Sequence, residues 1–252
     1  MTREGIRLLP SPPGADAYLA VDKPAGLQVH GPGGLLALAR AEWGASTCLV
    51  HRLDRATSGV LLLARDEAAL RDAHAAWGER VTKVYLAVVR GVPDPPEGTV
   101  EAPLLEHRSG RPDLLRRALR AAYGPVRAGL LLAGQRVGEI PPVPPPGRTA
   151  VPPRGRPATT AYRVVGAERG RALVECRPLT GRMHQIRVHL LHLGTPIEDD
   201  PYYDPSALSG AAPFLHAWRL LWRDPPGAAP GSVWTFESPA SPPVGASGMI
   251  RG

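Results

Sequence analysis

No helix or sheet interior can run through Pro141-Pro142-Val143-Pro144-Pro145-Pro146, because each proline fixes φ and lacks the N–H that a ladder needs. This run lies near the end of an Arg- and Pro-rich segment from His107 to Arg156, so the ordered body must be built on either side of it. The segment, about 107–156, is expected to be a surface insertion. Within it, Asp113 to Tyr123 can form a helix closed by Gly124, with Leu114, Leu115, Ala118, Leu119 and Ala122 on its apolar face. Arg116, Arg117 and Arg120 lie off that stripe, either as RNA contacts or as a solvated face.

With 43% hydrophobic residues in 252, the chain can bury a core and is not compositionally disordered. No apolar run nears the roughly 18 residues of a membrane helix, and Val60–Ala64 is typical of the longest. Met1–Asp16 has no apolar stretch of signal-peptide length and reads as a loosely attached lead. Cys48 and Cys176 are too few for a disulfide framework or a thiolate metal cage. A soluble cytoplasmic protein without membrane contact is expected.

The charge is arginine's: 30 basic residues include only Lys23 and Lys83 as lysines, against 23 acidic residues. A net charge of +7 fits a polyanionic partner, and a planar guanidinium suits phosphates and guanine edges. A GC-rich coding bias would raise Arg, Ala, Gly and Pro together, so charge alone decides nothing.

Outside the insertion, strands are expected at Tyr18–Val21, Gly59–Ala64, Lys83–Val89, Thr160–Val165 and Ala172–Arg177, with Leu215–Trp222 as the last. Leu35–Trp43 reads as a helix closed by Gly44, and Asp66–Trp77 as one capped by Asp66. A third helix is expected over Met183–Leu193, stopped by Gly194, with Thr180 or Gly181 at its start. The tail after Pro239 reads as mobile. This irregular alternation predicts a mixed α/β or α+β single domain.

The densest reactive cluster is His51-Arg52-Leu53-Asp54-Arg55-Ala56-Thr57-Ser58-Gly59. Arg52 and Arg55 would keep Asp54 ionised, as a nucleophile requires, and Thr57-Ser58-Gly59 can build a turn that fixes it. A surface loop with an incidental salt bridge is the plainer alternative. A second cluster runs Thr180-Gly181-Arg182-Met183-His184-Gln185-Ile186-Arg187-Val188-His189. His184, His189 and His192 with His51 or Asp54 could ligate a metal, but no pair has the helical His-x-x-x-His spacing, so no metal is expected. Ser58 lacks the Gly-x-Ser-x-Gly elbow of a serine hydrolase. Tyr85, in Lys83-Val84-Tyr85, suits either the core or stacking on a base.

Together these clusters resemble the RluA-type pseudouridine synthases. His51-Arg52-Leu53-Asp54-x-x-Thr57-Ser58-Gly59 is similar to that family's catalytic loop. In the family's order come Asp22-Lys23-Pro24-Ala25-Gly26-Leu27, Lys83-Val84-Tyr85, the Gly181-Arg182-x-His184-Gln185-Ile186-Arg187 stretch, Gly194-x-Pro196-Ile197, Asp200 before Tyr203, and Leu215-His216-Ala217. The resemblance spans about 18–222 and implies a mixed, largely antiparallel sheet with flanking helices and a central basic cleft.

It also implies a cofactor-free isomerisation of uridine in tRNA or rRNA, with Asp54 as nucleophile at the anomeric carbon or on the ring. One aspartate without a carboxylate partner suits an intramolecular transfer better than glycoside hydrolysis, which needs two. By carry-over, Tyr85 stacks on the flipped uracil and can help remove the ring proton. Arg187 pairs with Asp54, with Arg182 as the alternative. Arg52 fills the vacated space or contacts phosphate, and Arg55, Arg182, His184, Gln185, Arg116, Arg117 and Arg120 are candidate RNA contacts. Only 17 residues precede Tyr18, so no separate N-terminal RNA-binding domain is expected, nor any obligatory protein partner. Asp199 stands where the family usually has glycine. A non-catalytic RNA-binding module and a metal-dependent hydrolase are the competing readings.

Overall fold

The computed structural model describes residues 6–104, 156–204, 206–208 and 212–242. They divide into two compact units: residues up to Leu86 with Leu215–Ser241, and Ala87–Phe214.

The first unit is a sheet in the order β1 (Arg7–Leu8), β2 (Tyr18–Lys23), β4 (Ser58–Ala64), β9 (Leu215–Arg223), β10 (Val233–Glu237). The short β3 (Cys48–Leu49) also pairs with β4. Pairing is antiparallel except where β4 meets β9 in parallel at Ser58–His216 and Gly59–Ala217. β2 and β4 are apolar runs without alternation because both faces of these strands are covered. Residues two apart form one face: Tyr18 and Ala20, Val60, Leu62 and Ala64, Leu220 and Trp222, Trp234 and Phe236. Helix α2 (Glu67–Ala76) joins that cluster through Ala69, Ala73 and Ala76. Asp66 caps α2 by accepting from Ala69 N–H at 2.9 Å, as its position predicts. Helix α1 (Leu35–Trp43) ends at Gly44, also as predicted.

Two expectations are corrected here. Residues 6–16 are not a loose lead: Ile6, Leu9 and Ala15 are buried and β1 pairs with β2. Leu215–Arg223 is not the last strand, because β10 zips along it over five residue pairs.

In the second unit β6 (Glu97–Glu101), β7 (Thr159–Glu168) and β8 (Arg171–Pro178) form an antiparallel meander. β7 and β8 turn at Arg169-Gly170, where φ is +51° and +74°, the positive-φ pair of a tight hairpin. Strand β5 (Val81–Arg90), whose residues to Leu86 belong to the first unit, is buried through Val84–Val89, as its Val-rich sequence suggested. Helix α3 (Gln185–His192) packs on β7 and β8. It starts later than expected, because His184 stands in left-handed backbone at φ +56° and cannot continue a right-handed turn. Arg182 therefore precedes the helix instead of lying in it. Leu104 and Arg156 face each other in a two-bond bridge of 2.9 and 2.8 Å. The expected Asp113–Tyr123 helix, with Arg116, Arg117 and Arg120, and the tail from residue 243 lie outside the described residues. Among the described residues no helix is long and apolar enough to cross a membrane.

Candidate active site

The loop 51–57 leaves β3 and enters β4, with Leu53 and Thr57 buried and Asp54 half-buried between them. Thr57 N–H donates to the Asp54 carbonyl at 3.1 Å, closing the turn that Thr57-Ser58-Gly59 promised. The loop is fastened to the Lys23–Leu27 segment. Gly26 N–H donates to the Arg55 carbonyl at 2.8 Å, and Arg55 Nε returns a bond to the Gly26 carbonyl at 2.9 Å. Fully buried Lys23 donates from Nζ to the carbonyls of Pro24, Leu27 and Arg55 at 2.9, 2.7 and 3.2 Å. Burial lowers the Lys23 pKa to about 8, and the charge of Asp54 opposes that shift.

The charge of Asp54 also reaches Tyr85. The phenol is buried, and its pKa is pushed well up, first by desolvation and then by the Asp54 carboxylate. It stays protonated across the physiological range, which suits a ring that stacks and disfavours a tyrosinate base.

His51 is a structural member of the loop. Its Nε2 accepts from Leu62 N–H at 3.1 Å and its ring stacks on Trp77 with centroids 5.0 Å apart. Lys83 lies over the same Trp77 ring at 5.6 Å, and burial followed by Lys83's charge lowers the His51 pKa to about 3. At the far end of the loop, Ser58 Oγ is 2.9 Å from His216 Nδ1, and His216 Nε2 is 3.2 Å from the Ser238 carbonyl. A carbonyl only accepts, so Nε2 carries the proton and Nδ1 accepts from Ser58. Ser238 Oγ in turn donates to Asp22 at 2.7 Å. Gly59 has φ +106°, and a Cβ there would sit 2.2 Å from the Ala217 carbonyl oxygen. Only glycine allows β4 and β9 to meet here.

In the second unit, Arg187 is 4% exposed and clamped by fully buried Asp200, Nε and Nη2 donating at 2.6 and 2.7 Å. Its guanidinium lies 5.4 and 5.0 Å from the Tyr202 and Tyr203 rings. His184 Nδ1 is 2.9 Å from the Tyr203 hydroxyl. Asp199 takes the left-handed φ of +58° that a glycine would adopt, and its carboxylate accepts from Leu208 N–H at 3.2 Å. The turn therefore survives the departure, since aspartate tolerates this region.

The remaining candidates separate by exposure. Arg52 and Arg55 are exposed, whereas Arg182 is half-buried and its Nε donates to the Pro157 carbonyl at 3.0 Å. Gln185 is buried. Its amide donates to the Thr159 carbonyl and Thr160 Oγ1, both at 2.9 Å, and its carbonyl accepts from Thr180 Oγ1 and Arg182 N–H. This side chain holds its loop to β7 and is not presented to a ligand. His189 likewise has both ring nitrogens engaged, by Thr160 Oγ1 at 2.9 Å and the Ala102 carbonyl at 3.1 Å.

Lys23, Ser58 and His216 are the site's supports that residue-type reasoning did not single out. Retention of two lysines beside 28 arginines was the available signal for Lys23. A compact ammonium fits among three converging carbonyls where a planar fork does not.

Comparison with known proteins gives the family. The family model for RNA pseudouridylate synthase matches residues 17–192. The ribosomal large subunit pseudouridine synthase C of Salmonella typhi is 35% identical over 241 residues, covering 89% of this chain and 64% of that protein. Human RNA pseudouridylate synthase domain containing 4 superposes with a TM-score of 0.61 at 25% identity, covering 89% of this chain and 85% of that one. Human RNA pseudouridylate synthase domain containing 1 shares the fold, with a TM-score of 0.65 at 23% identity over 94% and 84% of the two chains. The chain belongs to the RNA pseudouridylate synthase family. It spans 64% of the length of the Salmonella relative.

Proposed function

We propose that the protein converts a uridine of large-subunit ribosomal RNA to pseudouridine, with Asp54 as nucleophile. The observation that carries this reading is the placement of Asp54 on a doubly fastened loop, its charge felt by a buried, protonated Tyr85. Family membership and the ribosomal relative support it, and work on that RNA would place the protein in the cytoplasm.

The reaction is an isomerisation. The N1–C1′ bond breaks with Asp54 assisting, the uracil turns, and C5 bonds to C1′. The proton lost from C5 is balanced by the one gained at N1, and no cofactor is required. The detached base must be recaptured, so water has to be kept from the site. Tyr85 supplies a face on which the flipped uracil stacks. Arg187 serves Asp54 by charge in this proposal, following the family motif. Exposed Arg52 and Arg55 and half-buried Arg182 meet the RNA with His184. Gln185 is assigned to the loop's own support.

The test is tritium release from unmodified transcripts carrying label at C5 of uridine, with ribosomal and transfer RNA assayed separately. Wild type should release label from the ribosomal transcript, and Asp54→Asn should lose at least about 10³-fold in rate. Release only from tRNA would move the substrate class. Equal release by Asp54→Asn would defeat the nucleophile assignment, and tight binding without release would favour a non-catalytic RNA-binding protein.

A further inference from the structure

Tyr202 is anomalous among the aromatic residues of the second unit. It is 61% exposed yet fixed in place. Its N–H donates to Asp200 Oδ1 at 3.0 Å, an Asx-type turn that sets its backbone. The ring lies 5.4 Å from the Arg187 guanidinium, which Asp200 holds through two charged bonds. Tyr203 at 6.3 Å and His184 at 6.0 Å flank the ring. Exposed Met183 adjoins His184, and half-buried Arg182 precedes it.

Exposure of an aromatic face forgoes the gain from burying apolar surface, and the contact with Arg187 engages only part of the ring's surroundings. A fixed, exposed ring rimmed by cationic and polar groups matches the stacking platforms on which proteins hold unstacked bases of single-stranded nucleic acid. Charge complementarity favours that occupant over an apolar protein surface, since the Arg187 guanidinium lies beside the ring in a chain of net charge +7.

We propose that Tyr202 is a base-stacking subsite, taking an unpaired nucleobase of the bound RNA other than the reacting uridine. This rests on the function proposed above and deepens it. The ring supplies a sequence-tolerant π-face, while the Asp200–Arg187 pair holds it in position so that little freedom is lost on binding.

The experiment measures binding of an unmodified, fluorescein-labelled large-subunit ribosomal transcript to wild type, Tyr202→Phe and Tyr202→Leu across a salt series. Tritium release is followed in parallel, and melting temperatures confirm folding. Phe should bind within about twofold of wild type, and Leu roughly tenfold or more weaker, because only the π-face is lost. For Leu, the slope of log affinity against log salt should be unchanged and the loss should fall on KM, not on kcat. Leu binding like Phe, or a flattened salt slope, would overturn the proposal; the latter would mean that Tyr202 acts only by placing Arg187. A kcat loss with KM intact would overturn it equally, as would failure of wild type to bind the transcript. Tight, Tyr202-dependent binding without tritium release would defeat the isomerase reading and leave the stacking subsite standing.

Discussion

At Lys23 the main-chain carbonyls of Pro24, Leu27 and Arg55 converge on one ammonium. Removing the charge without removing the carbonyls leaves buried acceptors unpaired. We expect Lys23→Met to destabilise the protein by about 3 kcal/mol or more, read as a fall in the urea midpoint. Lys23→Arg should rescue poorly, because a planar fork cannot address three carbonyls arranged around a point. A midpoint for Lys23→Met matching wild type would show that the loop does not depend on this anchor. Asp199 is the contrasting case, a residue that adopts a glycine's backbone and repays part of the strain through its own carboxylate.

Among the elements, the contact of β4 with β9 is the narrowest point. Gly59→Ala would place a methyl 2.2 Å from the Ala217 carbonyl, with backbone on both sides unable to yield. A loss of about 3 kcal/mol or more is expected, together with loss of hydrogen-exchange protection in β9. Retained protection there would show that the strands can separate without penalty. Most elements were legible locally: Asp66 and Gly44 mark helix ends by capping chemistry, and Arg169-Gly170 marks a hairpin by its positive φ. The start of α3 was not, because a left-handed His184 looks like any helical residue in sequence. β10 was hidden by its Pro- and Gly-rich flanks, although Val233-Trp234-Thr235-Phe236-Glu237 alternates as a strand should. In the site, contiguous motifs could be read, whereas the Ser58–His216 contact joins residues 158 positions apart and leaves no local mark. The same holds for Lys23 and Arg55, which are 32 apart.

For the molecule as a whole, buried neutral histidines set the response to acid. His51 has its pKa lowered to about 3 by burial and Lys83, and burial lowers those of His189 and His216 as well. In the unfolded chain these rings protonate near 6.5. Between about pH 6.5 and 3 the unfolded state therefore binds more protons than the folded one, and stability falls as pH falls. The His51 contribution cannot exceed about 1.4 kcal/mol per pH unit. Urea unfolding at pH 7 and pH 5 should show a lower midpoint at pH 5. His51→Gln keeps an acceptor for Leu62 N–H and should reduce the difference; an unchanged pH dependence would show that His51 does not titrate on unfolding.

The enclosure of Lys23 has a consequence for reagents as well as for folding. An amine with no exposed surface and three carbonyl partners cannot be acylated until the Lys23–Leu27 segment and the 51–57 loop part company. The rate at which a small acetylating ester marks that one lysine, followed by peptide mass, is a clock for how often the loop around Asp54 comes undone. A bound RNA that quietens the loop would slow that clock without touching the amine itself.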